Sequence, residues 1–150
     1  MNKRQKTILA ELITGIVITI LAVIAMINFK DWVNRSQAIR AMEQLGQDVL
    51  KHRKEHGLVP SKAYVDEIKR ELEGGARLGN LQYRALWIDP ASTPDEVLAY
   101  TKREYPSSLL NDGFIVLRLD GTVKRMSKEQ FDTLLPEQQR QKEYFKMLRP

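Results

Sequence analysis

The chain has 150 residues, a net charge of +5, no cysteine and 43% hydrophobic residues. At about 100–200 residues per domain, this length accommodates one membrane anchor and one small domain. The lack of cysteine excludes a disulfide framework and thiol chemistry, and the basic residues are interspersed with acidic ones instead of forming a stripe. We therefore expect no nucleic-acid partner and a domain that is held together by its hydrophobic core.

The first predicted element is one long helix over residues 6–56. Residues 12–29 carry no charge, and as a helix these 18 residues cover about 27 Å, close to the thickness of a bilayer core. The second half has apolar residues three or four positions apart, which indicates one buried face: Ile39, Met42, Leu45 and Val49. The pattern predicts a transmembrane half over residues 7–29 and an amphipathic half over residues 30–57.

A short basic segment, with Lys3, Arg4 and Lys6, precedes the apolar residues. A secretory signal peptide has the same order, but its apolar core is about 7–15 residues long and is followed by small residues at a cleavage site. Here the core is longer and bulky residues follow it, so a retained anchor is favoured. Because positive charge remains on the cytoplasmic side, we expect a single-pass protein with a cytoplasmic N-terminus and an exported C-terminal domain.

Glu11 is a carboxylate at the start of the apolar segment, where a charged side chain is costly. In one interpretation, it extends to the lipid headgroups beside Lys6. In the other, it pairs with a cation from a neighbouring subunit. The residues alone leave both interpretations open.

Residues 1–42 resemble the N-terminal segment of type IV pilins and pseudopilins. The shared features are a basic leader, an apolar core with Ile-Leu-Ala, an aromatic pair and an Arg-Ser-Gln-Ala run. The core begins after Thr7 and includes residues 20–22 and 24–25. The aromatic pair is Phe29 and Trp32, and the run is residues 35–38. The resemblance implies that a prepilin peptidase removes the leader, residues 1–6, by cutting between Lys6 and Thr7. Glu11 would then be the fifth residue of the mature chain and would pair with a neighbour's amino terminus during assembly.

The same resemblance implies a location and partners. The chain would reside in the inner membrane, with its domain in the periplasm or in an extracytoplasmic filament. Its partners would be the lipid bilayer, further pilin-like subunits and the inner-membrane components of a secretion system.

The chain departs from the pilin pattern at three positions. Lys6 stands where the family has glycine or alanine before the cut, and Ile27 replaces the usual proline. Alignment of residues 20–38 also places Ala10, not Glu11, at the position of the glutamate. Whether the leader is removed stays open.

Two histidines lie near the predicted end of the long helix, which Gly57 and Pro60 terminate. His52 and His56 are four residues apart, a spacing that suits metal chelation on one helix face. No convincing third ligand follows in the nearby sequence. We therefore expect no metal and no other cofactor.

The remaining chain alternates turn signals with short helices and strands. Residues 58–80 contain a predicted helix over 62–73, and residues 81–135 contain predicted strands over 81–88, 97–101, 114–119 and 122–126 followed by a helix. Asp120 and Gly121 predict a type I′ hairpin turn between the last two strands. Pro136 is expected to restart or break the last helix, which leaves residues 136–150 as a polar tail.

Residues 93–135 carry a second resemblance, to the C-terminal domain of pseudopilin-like proteins that have a histidine, nine further residues and then Asp-Gly. The matching residues are Pro94, Asp95, residues 97–100, Asp120, Gly121, Val123, Ser127 and Phe131. Leu110 occupies the place of the histidine. No role of that histidine is therefore transferred to this chain.

The order of elements predicts a two-layer α+β domain in which the amphipathic half of the long helix covers one face of an antiparallel sheet. The resemblance names this the pilin fold. The sequence has no G-x-S-x-G motif, no H-E-x-x-H motif and no cysteine, and both histidines lie on the predicted long helix, so we expect no enzyme. The predicted function is a structural subunit of a pilus-like or type II secretion pseudopilus-like filament, and the alternative is a solitary membrane-anchored scaffold or assembly factor.

Overall fold

The computed structural model describes residues 2–148 and begins with a helix, α1, that runs without interruption from Lys3 to His56. Its 54 residues span about 80 Å. The helix ends at Gly57, which has a φ of +78° and donates its N–H to the carbonyl of Arg53 over 2.8 Å. Glycine adopts this left-handed conformation without steric cost. The predicted continuity of the helix is confirmed, and its first turn begins three residues earlier than expected.

Short helices and a four-stranded antiparallel sheet follow α1. The elements are α2 (Lys62–Glu71), β1 (Gln82–Tyr83), β2 (Val97–Arg103), β3 (Gly113–Arg118), β4 (Val123–Met126) and α3 (Lys128–Leu148), with single 3-10 turns at Gly75–Leu78 and Ala85–Trp87. The strands are neighbours in chain order. The architecture is therefore α+β, as predicted.

The main core lies between α1 and one face of the sheet. The apolar stripe of α1 is buried there, with Met42, Leu45 and Val49 fully inaccessible to solvent. They pack in one cluster with alternate residues of β3, Ile115 and Leu117. The apolar residues of α1 recur every three or four positions, and those of β3 on this side are every second residue. Each element thus has an apolar face, and the two faces pack together.

Helix α3 covers the other face of the sheet, where the sequence predicted a single covering layer. The intervening residues of β3, Phe114 and Val116, point to this side and cluster with Phe131 of α3. The rings of Phe114 and Phe131 stack with centroids 4.0 Å apart. The domain consequently has three layers, because β3 is apolar on both faces.

Helix α3 also continues through Pro136 to Leu148, so the predicted break and polar tail are wrong for residues 136–148. The part of α3 beyond the proline is attached by polar contacts to the segment before β2. Gln138 accepts a hydrogen bond from the N–H of Val97 over 3.0 Å, and Lys142 contacts Glu96 over 2.6 Å in a largely buried ion pair. These contacts stabilise the helix despite the backbone hydrogen bond that proline removes.

The strand predicted over 81–88 is shortened to β1, because the chain turns at Arg84. The Arg84 backbone N–H donates to the carbonyl of Leu98, and its guanidinium reaches the carbonyl of Val97 and lies 5.3 Å from the centre of the Trp87 ring. Burial lowers the pKa of this guanidinium. A charged group therefore lies within the domain, where one carbonyl and one aromatic face contact it.

The turn between β3 and β4 is not type I′. That turn needs positive φ at both central residues, but Gly121 (φ +86°) has it and Asp120 does not. Gly121 donates its N–H to the carbonyl of Arg118, and Arg118 donates to Thr122, which makes a three-residue loop that ends in a left-handed glycine. Tertiary contacts explain the three-residue loop, because Leu119 is buried and donates its N–H to the carbonyl of Glu96.

We predict that Gly121→Val destabilises the domain by about 1–3 kcal/mol, since a β-branched residue at positive φ is strained. A Cβ at this position would also lie 2.7 Å from the Cδ1 atom of Leu50. Gly121→Asn is the matched control, because asparagine has a Cβ but tolerates the left-handed conformation. Urea unfolding of the full chain in detergent measures the free energy of unfolding of both variants. Equal free energies for Gly121→Val and the parent would contradict the turn assignment.

Candidate functional site

The first half of α1, residues 7–29, is called the apolar half here, and residues 30–56 the docked half. Every residue from 7 to 26 is exposed in the structure, although most are large and apolar. By length and composition, α1 is the one helix in the described part of the chain that is long and apolar enough to cross a membrane. The apolar half is therefore a large uncovered surface.

The threonine hydroxyls of the apolar half donate hydrogen bonds within α1 itself. Thr14 donates to the carbonyl of Ala10 over 2.8 Å, and Thr19 donates to the carbonyl of Gly15 over 2.9 Å. Such internal hydrogen bonds matter in lipid, because no water is present there to satisfy a free hydroxyl. The threonines consequently do not prevent this segment from residing in a bilayer.

Glu11 is exposed on the apolar half, near its beginning. Among the side chains of residues 2–144, none forms an ion pair or a hydrogen bond with its carboxylate. A charge at the edge of an apolar surface needs either headgroup solvation or a cation from another molecule. The structure therefore leaves the carboxylate available for a partner.

The proposed cleavage residues, Lys6 and Thr7, lie exposed in the first two turns of α1. The Lys6 N–H donates to the carbonyl of Asn2, and the Thr7 hydroxyl donates to the carbonyl of Lys3. The peptide bond between them is thus part of a regular helix. A peptidase that requires an extended substrate would have to unwind this turn.

One face of the apolar half presents small residues. Gly15, Thr19 and Ala22 are four and then three residues apart, which places them on the same side of the helix. A Cβ added at Gly15 would meet no other atom within 4 Å. Small residues let the backbones of two helices approach closely in lipid, so this face suits helix–helix packing.

The Arg-Ser-Gln-Ala run, residues 35–38, is divided between two roles. Ala38 is fully buried against the domain, and Gln37 accepts a hydrogen bond from Arg77 over 3.2 Å. Arg35 and Ser36 instead line a shallow groove beside Trp32. The second pair of the run attaches α1 to the domain, and the first pair remains on the surface.

The other sequence-predicted residues lie far from the apolar half. Gly121 lies next to Leu50, in the part of the docked half that is farther from the apolar half. The Asp120 carboxylate accepts hydrogen bonds from the N–H and hydroxyl of Thr122, which lower its pKa. These two residues shape the hairpin and are not part of an assembly surface on the apolar half.

His52 and His56 stack on each other with ring centroids 4.2 Å apart, and Tyr64 of α2 packs on His52. A hydrogen bond of 3.1 Å joins the Nδ1 atom of His56 to the carbonyl of His52. Within the residues that the structure describes, no group of three or more His, Asp or Glu side chains is arranged to hold a metal ion. The ring stack connects the end of α1 to α2.

One contact near the end of the apolar half was not predicted from the sequence. Leu109, in the connection between β2 and β3, donates its N–H to the Oδ1 atom of Asn28 over 2.7 Å. The two residues are 81 positions apart in the chain. The adjacent leucines at positions 109 and 110 were the available signal, but the sequence does not indicate the partner of Leu109.

No protein-family model, curated protein or solved structure matches the chain.

Proposed function

We propose that this protein is a structural subunit of a type IV pilus-like or type II secretion pseudopilus-like filament. The main support for this proposal is that the two halves of α1 have different surroundings. Its apolar half is exposed, and its docked half supplies six buried residues to the domain: Ala38, Ala41, Met42, Leu45, Gly46 and Val49. Since one unbroken helix joins both parts, packing of the apolar halves would set the positions of the domains.

The mechanism is lateral packing of helices, with no covalent chemistry. Before assembly, the apolar half resides in the inner membrane with the domain in the periplasm. Neighbouring subunits then approach through the face that contains Gly15, Thr19 and Ala22, where close contact gains van der Waals energy. Glu11 meets a cation of the adjacent subunit. The resemblance of residues 1–42 and 93–135 to pilin-like proteins supports this mechanism from the sequence.

The alternative function is a solitary membrane-anchored scaffold or assembly factor. Lys6 favours it, because a filament subunit of this family has glycine or alanine before the peptidase cut. Such a module needs the same anchor but no contact between its apolar halves. The two functions therefore differ in whether the apolar halves of separate copies touch.

Disulfide cross-linking in the native membrane tests this difference. The chain has no cysteine, so a single introduced cysteine can form a disulfide only with another molecule. In a subunit that assembles, Ala22→Cys should give oxidised homodimers in higher yield than Ile24→Cys, which is at similar depth on the opposite face. A solitary module would give no dimers with either variant at native expression levels.

The proposed topology makes a separate prediction. The dense positive charge of Lys3, Arg4 and Lys6 precedes the apolar half, so the residues after it should be exported. A phosphatase reporter fused after Pro150 should be active, and a fluorescent reporter that folds only in the cytoplasm should be dark. The reverse pattern would contradict both proposed functions, because each requires an exported domain.

A further inference from the structure

The connection between β2 and β3, residues 104–112, is called the β2–β3 loop here. It extends beyond the sheet toward the apolar half of α1. Leu117 of β3 lies beside Gly46, whereas Leu109 in the loop lies beside Asn28. The 18 positions between Gly46 and Asn28 correspond to about 27 Å along the helix axis. The loop thus reaches the place where the apolar half ends.

The loop contacts α1 at this place. Residues 2–26 are all exposed, but Ile27 and Asn28 are half-buried. Asn28 donates from its Nδ2 atom to the carbonyl of Ile24 over 2.8 Å and accepts at Oδ1 from Leu109 over 2.7 Å. Both ends of the Asn28 amide are therefore used, and the loop is held at a defined height on the helix.

Leu109 projects away from the protein at this height. It is 84% exposed, and Phe29, one residue beyond Asn28 on α1, is 66% exposed. The first charged residue after the apolar half is Lys30. In a bilayer that contains the apolar half, the boundary between hydrocarbon and headgroups falls at these residues. An exposed leucine is favourable there, whereas in water it is not.

The charges around the loop suit a headgroup layer. Lys30 is exposed, and Arg125 remains exposed while its guanidinium donates to the carbonyl of Asn111 in the loop. The two acidic groups of the loop have partners within the domain. Glu104 pairs with Lys102, and the carboxylate of Asp112 accepts the N–H of Tyr105 over 2.6 Å. Asp31 follows Lys30 and is half-buried, so the charges near the loop are of both signs. A headgroup layer that contains ammonium and phosphate groups offers partners to both signs.

We propose that the β2–β3 loop docks on the outer surface of the same bilayer and inserts Leu109 at the boundary between headgroups and hydrocarbon. This inference rests on the proposed anchoring of α1 in the membrane. The domain is then attached to the membrane at two points, through α1 and through Leu109. Its orientation relative to the bilayer is fixed before any assembly begins.

Single-cysteine variants of the full chain test the docking in vesicles of phosphatidylethanolamine and phosphatidylglycerol. An environment-sensitive fluorophore is attached at Leu109→Cys, at Leu86→Cys or at Ile18→Cys. Leu86 is the matched control, because it is a 94% exposed leucine in the Ala85–Trp87 turn at the opposite end of the sheet. Ile18 lies within the apolar half and reports on the anchor itself.

In the vesicles, we expect the fluorescence emission of the probe to shift to shorter wavelength at positions 109 and 18 but not at position 86. Lipids with a nitroxide near the headgroup should quench the Leu109 probe more than lipids with a nitroxide deep in the acyl chain, and the Ile18 probe should show the reverse order. Asn28→Leu removes the acceptor that holds the loop. It should reduce quenching at position 109 without changing it at position 18.

The experiment distinguishes a failure of the loop docking from a failure of the proposed membrane anchor. A Leu109 probe that behaves like the Leu86 probe, while the Ile18 probe is quenched, overturns the docking and retains the anchor. No quenching at Ile18 overturns the anchor. A blue shift at Leu109 that disappears when the protein is diluted with lipid, without quenching by either nitroxide, assigns the leucine to a contact between subunits and overturns the docking.

Discussion

Leu45→Ala should lower the free energy of unfolding of the domain by about 2–5 kcal/mol, the usual cost of removing a large aliphatic side chain from a core. Leu45 is fully buried on the docked half of α1, in the cluster that contains Ile115 and Leu117 of β3. The substitution leaves a cavity between the helix and the sheet. Since a domain of this size is stable by about 5–15 kcal/mol, the loss is a large fraction of the total.

Urea unfolding of the full chain in a mild detergent, followed by brief proteolysis, measures this effect. Leu21→Ala is the control, because it makes the same chemical change in the apolar half, where Leu21 is 60% exposed and does not contact the core. The midpoint should fall for Leu45→Ala and remain unchanged for Leu21→Ala. Equal midpoints for both variants would show that α1 does not form the centre of the domain.

Glu11→Ala should impair assembly while insertion into the membrane stays normal. In an isolated anchor, removal of the carboxylate only relieves a desolvation cost, so the protein level would be unchanged or slightly higher. In a subunit that assembles, the carboxylate pairs with a cation of the neighbour. That cation is the free amine of a chain cut after Lys6 or, if the leader remains, a basic side chain of the leader.

Glu11→Gln separates charge from shape. It keeps the size of the side chain but loses the charge, so it should be nearly as harmful as Glu11→Ala. An ion pair at the membrane edge is stronger than one on a wet surface, because few waters compete for it. Glu55→Gln is the control, since Glu55 is exposed at the far end of the docked half. The readouts are membrane level and recovery of cross-linked oligomers or sheared filaments, and assembly of both Glu11 variants at the parental level would favour the solitary module.

The long helix could be predicted from the sequence because its determinants are local. The long apolar run and the absence of proline from residues 3–56 predict α1 despite Gly15 and Gly46, and a glycine with a proline soon after it predicts the end of the helix. The spacing of Met42, Leu45 and Val49 also predicts which face is buried, and all three are fully inaccessible in the structure. A periodic apolar pattern specifies a buried face without naming its partner.

The local sequence predicts the position of the turn between β3 and β4 but not its type. The dipeptide at residues 120–121 indicates a turn and its position correctly. Its type is set by the burial of Leu119 and by the hydrogen bond from Leu119 to Glu96, two groups that are far apart in sequence. The two-residue turn preferred by Asp-Gly is therefore replaced by a three-residue loop.

The ends of the last helix and of the β2–β3 loop depend on contacts that no sequence window contains. Helix α3 continues beyond Pro136 because Gln138 and Lys142 bind a segment more than 40 positions earlier, and the loop is positioned by the hydrogen bond between Leu109 and Asn28. By itself the sequence determined the long helix, its two halves and the α+β class, since these follow from the period and length of apolar runs. Only the tertiary structure decided the second covering layer, the turn type and the loop at the end of the apolar half, because each depends on contacts between distant residues. The layer depends on apolar packing of Phe131 on β3, whereas the turn and the loop depend on single hydrogen bonds.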